Sequence, residues 1–191
     1  MNTALIIVDI QNDYFPEGTM PLVGPIEASQ QAARLLDRFR NARGRTQRPI
    51  VHIQHIAVRP GATFFLPGTP GADFHPNVQP QPEETIVQKN FPNSFRDTPL
   101  LDVLREKQIN CLIICGMQTN MCIDATTRAA ADYGFECVVA ADACAARNLT
   151  FDEHTVPAEQ VHYAFLAALN GSYAKVQSVD QILAQLAKVA A

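Results

Sequence analysis

Hydrophobic positions follow two alternating rhythms along the chain. Residues 4–10 (ALIIVDI), 49–56 (PIVHIQHI), 111–116 (CLIICG) and 136–143 (ECVVAADA) are short, largely apolar runs rich in β-branched residues. Such runs suit parallel strands with both faces buried. Two shorter runs of the same kind, 85–89 (TIVQK) and 173–178 (YAKVQS), bring the strands to six. Between them lie longer stretches with helical spacing. In residues 25–44, Ile26, Ala33, Leu36 and Phe39 recur on one face, with Pro25 at the start and Gly44 at the end. Residues 98–108, 122–134, 157–171 and 179–191 read as further helices, with Gly134 and Gly171 as stops. Strands alternating with helices predict a single-domain, three-layer α/β/α fold, Rossmann-like, around a mostly parallel six-stranded sheet.

One segment breaks the rhythm. Residues 57–84 are rich in Pro and Gly and carry Phe64, Phe65, Phe74 and His75. A connection this long in a compact domain is more often a lid or binding loop than a plain linker. Phe64, Phe65 and His75, with Phe15 after the first strand and Asn120 before the third helix-like run, are the candidate substrate-lining residues.

In open parallel sheets, ligands bind beyond the carboxyl ends of the strands. That rule draws attention to Asp9, His55, Lys89 and the turn 116–122. Cys122 opens a helix-like run directly after a strand. Helix-end N–H groups favour a thiolate there, so a depressed pKa is expected. The same amides suit an oxyanion formed in acyl transfer. Asp9 supplies a proton acceptor and Lys89 a cation, each at its own strand end. Thr119 and Asn120 are candidate caps for the helix. A free cysteine is otherwise usually a small buried hydrophobe, the reading that suits Cys111, Cys115 and Cys137. Cys111 and Cys115 would lie roughly 13 Å apart along one strand, too far for a disulfide. His162, inside an apolar helix, reads as a structural histidine.

Three stretches in order, ALIIVDIQNDYF, QKNFPNSF and GMQTNMCIDATTRAAADYGFECVVAADACA, give the chain a recognisable pattern. It resembles the isochorismatase-like cysteine hydrolase superfamily, which includes nicotinamidases and other small amidases. The resemblance covers nearly the whole chain, residues 1–191. It implies a triad of Asp9, Lys89 and Cys122, and a non-proline cis peptide before Gln118. It further implies an oxyanion hole from the amides of Gln118 and Cys122, and hydrolysis of a small C–N amide through a thioester. Relatives tend to carry a small residue where Gln118 stands. Nicotinamidases place a metal-binding Asp-x-His pair after the second strand, where this chain has His55 and Ala57. His52 and His55, three apart on a strand, point to opposite faces, so neither a metal nor another cofactor is expected. Members that act on the vinyl ether of isochorismate can lack the cysteine. Such an ether or other non-amide hydrolase is the alternative enzyme reading, and a binding or redox-responsive protein on the same fold is the non-enzymatic one.

Charge narrows the partners. A net charge of -4 over 191 residues, without a basic block, leaves no footprint for nucleic acid or an anionic membrane. No apolar run approaches the length of a membrane span, and residues 4–8 are too short for a secretory signal. Five cysteines, mostly within strand-like runs, do not form a disulfide framework. A cytoplasmic enzyme of a small molecule is expected. The stripe Ile182, Leu183, Leu186 and Val189 suits a homo-oligomer or packing on the parent sheet.

Overall fold

The computed structural model describes residues 2–41 and 48–188. Strands β1 (Thr3–Val8), β2 (Ile50–His55), β3 (Thr85–Lys89), β4 (Cys111–Met117) and β5 (Glu136–Ala145) form at or near the predicted positions. A hairpin of β6 (Leu149–Phe151) and β7 (His154–Val156) follows, then β8 (Lys175–Gln177). The main sheet has the order β3-β2-β1-β4-β5-β8, and every neighbouring pair is parallel. The antiparallel β6–β7 hairpin stands apart from it. The alternating pattern did not reveal this hairpin, because its residues are half-exposed or exposed and Phe151 is 79% exposed.

Helices cover both faces, as strand alternation requires. Leu5 and Ile7 of β1 face a core shared with α1 (Pro25–Arg40) and α5 (Val179–Lys188). Ala4, Ile6 and Val8 face the other core, filled by α2 (Leu100–Glu106), α3 (Asp124–Asp132) and α4 (Ala158–Leu169). Ile182 and Leu186 are buried in the first core with Leu183 packed against it, so the stripe of α5 belongs to the chain's own interior. Val189 and Gly44 lie outside the described residues. No described helix is long and apolar enough to cross a membrane.

The connections from β1 run outward through β2 to β3, then return to β4 on the opposite side of β1. The reversal leaves a crevice at the carboxyl ends of β1 and β4, where such sheets bind ligands. The strands pinch together there. Gly116 pairs in register with Val8 and has φ of +126°. A β-carbon on Gly116 would overlap the Val8 carbonyl oxygen. Only glycine meets both demands.

The 57–84 segment is short of regular structure but firmly tied. It contains two single-turn helices, Pro70–Ala72 and Pro76–Val78. The His75 amide donates to the Ile10 carbonyl and the Ala57 amide to the Phe65 carbonyl. Glu84, at its end, bridges Arg40 at 2.7 Å and His52 at 2.8 Å. Burial opposes the Glu84 charge, yet Arg40, the Gln81 amide and His52 hold its pKa down to about 2.

Gly116→Ala should therefore destabilise the fold by about 3 kcal/mol or more, combining overlap with left-handed strain. For a domain of this size that is a fall in Tm of roughly 6–12 °C. Thermal and urea unfolding measure it, and a wild-type Tm would contradict the close approach of β4 to β1.

Candidate active site

Asp9, directly after β1, adopts φ of +51°, a left-handed conformation that Asp tolerates better than most residues. This turns the chain out of the sheet, with the carboxylate over the crevice. Lys89 and His55 end their strands, and Cys122 follows β4 by a short turn. These strand ends converge on the Lys89 ammonium. Its Nζ lies 2.7 Å from Asp9 Oδ2, 3.2 Å from Cys122 Sγ, 3.1 Å from His55 Nδ1 and 3.1 Å from the Phe91 carbonyl. Asp9 is 0%, Lys89 1% and Cys122 4% exposed.

Burial disfavours each charge in this group, and neighbours decide the outcome. Burial would lower the Lys89 pKa, but Asp9 and Cys122 outweigh it and the pKa is raised. Burial, assisted by Lys89 and Arg59 against the pull of Asp9, drops His55 to about 4. His55 is thus neutral, and its Nδ1 accepts from the ammonium. The Cys122 thiol is pushed up by burial and by the Asp9 carboxylate, and Lys89 offsets this only in part. The expectation of a depressed thiol pKa fails. Desolvation outweighs what a helix end returns, and α3 itself begins only at Asp124. Cys122 sits before it in a π-helical turn, Thr119–Ile123, where the Met121 and Ile123 amides both donate to the Gln118 carbonyl at 3.1 Å. Neither Thr119 nor Asn120 caps α3. Thr119 Oγ1 bonds to the Ala145 carbonyl and to His162 Nδ1 at 2.9 Å, which gives that histidine its structural partner. Asn120 Oδ1 has no hydrogen-bond partner among the described residues.

The residues after Asp9 build the surroundings, and the sequence reading gave Gln11, Asn12, Asp13 and Tyr14 no roles. Gln11, fully buried, donates to the His55 and Ala72 carbonyls and accepts from the His55 amide at 2.8 Å. It fixes the end of β2 and ties the long loop to it. Asn12 holds the Pro70 carbonyl, while Asp13 accepts from the Phe65 amide at 2.6 Å and the Thr19 amide at 3.1 Å. Of residues 11–15 all but Asn12 are buried, Gln11 and Asp13 among them, but burial is not visible in a sequence. Tyr14 Oη accepts from Gln118 Nε2 at 3.3 Å, and burial with the nearby Cys122 and Asp9 raises its pKa.

A cavity of about 320 Å³ opens onto Cys122. Of the predicted lining residues, Phe64 and Asn120 border it, together with Gln118 and with Tyr14 and His55. The other three do not. Phe65 is fully buried against Tyr14, with ring centroids 4.6 Å apart. Phe15 and His75 stack on each other at 3.7 Å and face a separate cleft beside Gly18 and Gly71. In both cases the ring contact joins the 57–84 segment to the residues after β1, so the side chain fastens the loop instead of lining the cavity. Arg59 and Arg147 also border the Cys122 cavity, unmarked by any motif.

The peptide between Met117 and Gln118 is cis, as the resemblance implies. Asp9, His55 and Cys122 place ligand-type atoms within 4.8 Å of one another. That donor set already surrounds an ammonium, so Lys89 supplies the positive charge at its centre. His52 turns elsewhere, to Glu84. The remaining cysteines are free and buried, with Cys137 and Cys144 raised to about 12 chiefly by burial.

Comparison with known proteins places this architecture. Residues 3–181 match the model of the Isochorismatase domain. The chain is 49% identical over 183 residues to the uncharacterized isochorismatase family protein YddQ of Bacillus subtilis, covering 96% of this chain and 99% of that one. It is 28% identical to the maleamate amidohydrolase of Pseudomonas putida, covering 98% and 88%. A solved isochorismatase-family hydrolase structure from Oleispira antarctica superposes with a TM-score of 0.90 at 49% identity, covering 96% of each chain. The chain belongs to the isochorismatase family.

Proposed function

We propose that this protein hydrolyses a small amide through a Cys122 thioester. The observation behind this reading is the buried group behind Cys122, where one ammonium holds both a carboxylate and the thiol that borders the cavity. Apart from Lys89 and the thiol itself, no donor is aimed at either Asp9 oxygen among the described residues. The carboxylate thus keeps the acceptor capacity that a general base needs. Asp9 takes the Cys122 proton as sulfur attacks the amide carbonyl. The Gln118 and Cys122 amides bind the resulting oxyanion. Asp9 returns its proton to the nitrogen, the C–N bond breaks and an amine or ammonia leaves. Water, deprotonated by Asp9, then attacks the thioester, and the released thiolate recovers the proton.

Lys89 pairs with the Asp9 carboxylate and balances the charge that moves between carboxylate and thiolate. His55, held neutral, accepts from Lys89 and helps to aim it. The 57–84 segment acts as a wall and partial lid through Phe64. The maleamate amidohydrolase relative supports an amide substrate. A thiol at the cavity floor favours acyl transfer over vinyl-ether hydrolysis, which calls for a proton donor instead.

Cys122→Ala should reduce ammonia release from a reactive amide by at least about a thousandfold. A slow substrate should leave an acyl adduct on Cys122, visible by mass spectrometry. Full activity in the alanine variant would rule out the nucleophile.

The pH profile tests His55. Its pKa near 4 keeps it neutral between pH 5 and 8. Any stability that depends on its neutral form is present above its unfolded value, about 6.5, and is lost as pH falls through about 4. His55→Gln should therefore leave the shape of the kcat/KM profile unchanged between pH 5 and 8. A wild-type limb near pH 6.5 that this variant lacks would contradict a neutral His55.

A further inference from the structure

The walls of the Cys122 cavity differ sharply in what they offer a ligand. At the buried end, Gln118 is 4% and Asn120 8% exposed, and both line the cavity. Gln118 Oε1 and Asn120 Oδ1 each lack a hydrogen-bond partner among the described residues. Two buried acceptors without donors are costly, and a ligand bearing N–H groups would satisfy them. At the outer end stand Arg59 and Arg147, both exposed. Among the described residues neither forms an ion pair, and no Asp or Glu lines the cavity. Their charges reach inward: Arg147 favours the ionised form of Tyr14, and Arg59 disfavours the charged form of His55. The lining also has an apolar part, with Phe64, Phe91 and Leu149.

We propose that the cavity is a subsite for a short amido acid, whose terminal NH2 meets Gln118 Oε1 and Asn120 Oδ1 and whose carboxylate meets Arg59 and Arg147. A guanidinium binds a carboxylate through paired, charge-assisted hydrogen bonds, which suits an unpartnered arginine at a cavity mouth. The two acceptors hold the nitrogen that departs as ammonia, and the apolar lining in a cavity of about 320 Å³ suits a small hydrocarbon linker. The choice of an amide end rests on the hydrolysis proposed above, while the carboxylate end rests on the arginines alone.

Binding to Cys122→Ala, measured by calorimetry, separates these parts. The probes are succinamate and 4-methylpentanamide, in which an isopropyl group replaces the carboxylate. Succinamate should bind about tenfold tighter or more, and its advantage should shrink as salt is raised. Adding Arg59→Gln and Arg147→Gln together should bring the two affinities within about twofold of each other. Both arginines are exposed, and an unchanged Tm confirms that the variant is folded. Equal or weaker binding of succinamate, or a preference that survives both substitutions, overturns the inference. Ammonia release by the wild-type enzyme reports on the other reading. Hydrolysis of 4-methylpentanamide as fast as succinamate would sink the carboxylate subsite and leave amide hydrolysis standing. Selective succinamate binding without ammonia release would do the reverse.

Discussion

The ion pair between Asp9 and Lys89 is the constraint around which this molecule is arranged. Both side chains are sealed from water, and such a pair regains its desolvation cost only with close geometry and further hydrogen bonds. Here the contact is 2.7 Å, and His55, the Phe91 carbonyl and Cys122 surround the rest of the ammonium. Apolar residues of similar volume would often stabilise a fold as well or better. A buried charge pair in contact with a thiol that borders a cavity is therefore better explained by chemistry than by stability.

The backbone that aims these groups is tied together at several points. Gly116 lets β4 close on β1 at the switch point, so that Asp9 and the turn bearing Cys122 share one crevice. Gln11 fixes both backbone groups of His55, and its neighbours Asn12 and Asp13 hold the loop that supplies Phe64. The few residues after β1 thus place a proton acceptor, the end of β2 and one cavity wall. A loop held by so many backbone hydrogen bonds needs little regular structure of its own.

Strand order and helix positions were legible because buried parallel strands and amphipathic helices leave period and composition in the sequence. The convergence of Asp9, Lys89 and Cys122 followed from strand ends and from the resemblance. Other features had no such trace. The β6–β7 hairpin is too exposed to show a pattern. Phe15 and His75 looked like lining residues because aromatics in a loop do not reveal which side of the loop they face. Helix-end reasoning misjudged the Cys122 pKa because it weighed the local dipole without the burial that tertiary packing imposes. Arg59 and Arg147 belong to no motif, and only folding brings them to one rim.

The raised thiol pKa changes how the site should be understood. A pre-formed thiolate is reactive toward any electrophile or oxidant that reaches it. On the proposed mechanism Cys122 instead keeps its proton until attack, so its nucleophilicity depends on simultaneous transfer to Asp9. That transfer leaves the Lys89 charge facing a neutral carboxyl and a sulfur whose electron density has moved into the substrate. The ammonium then stabilises the shifted charge distribution without moving. Burial, which makes the free thiolate costly, also strengthens every fixed charge and dipole that the transition state meets. A poorly reactive resting thiol and the effective nucleophile of the proposed reaction follow from the same dry environment, and selectivity passes from the sulfur to whatever fits above it.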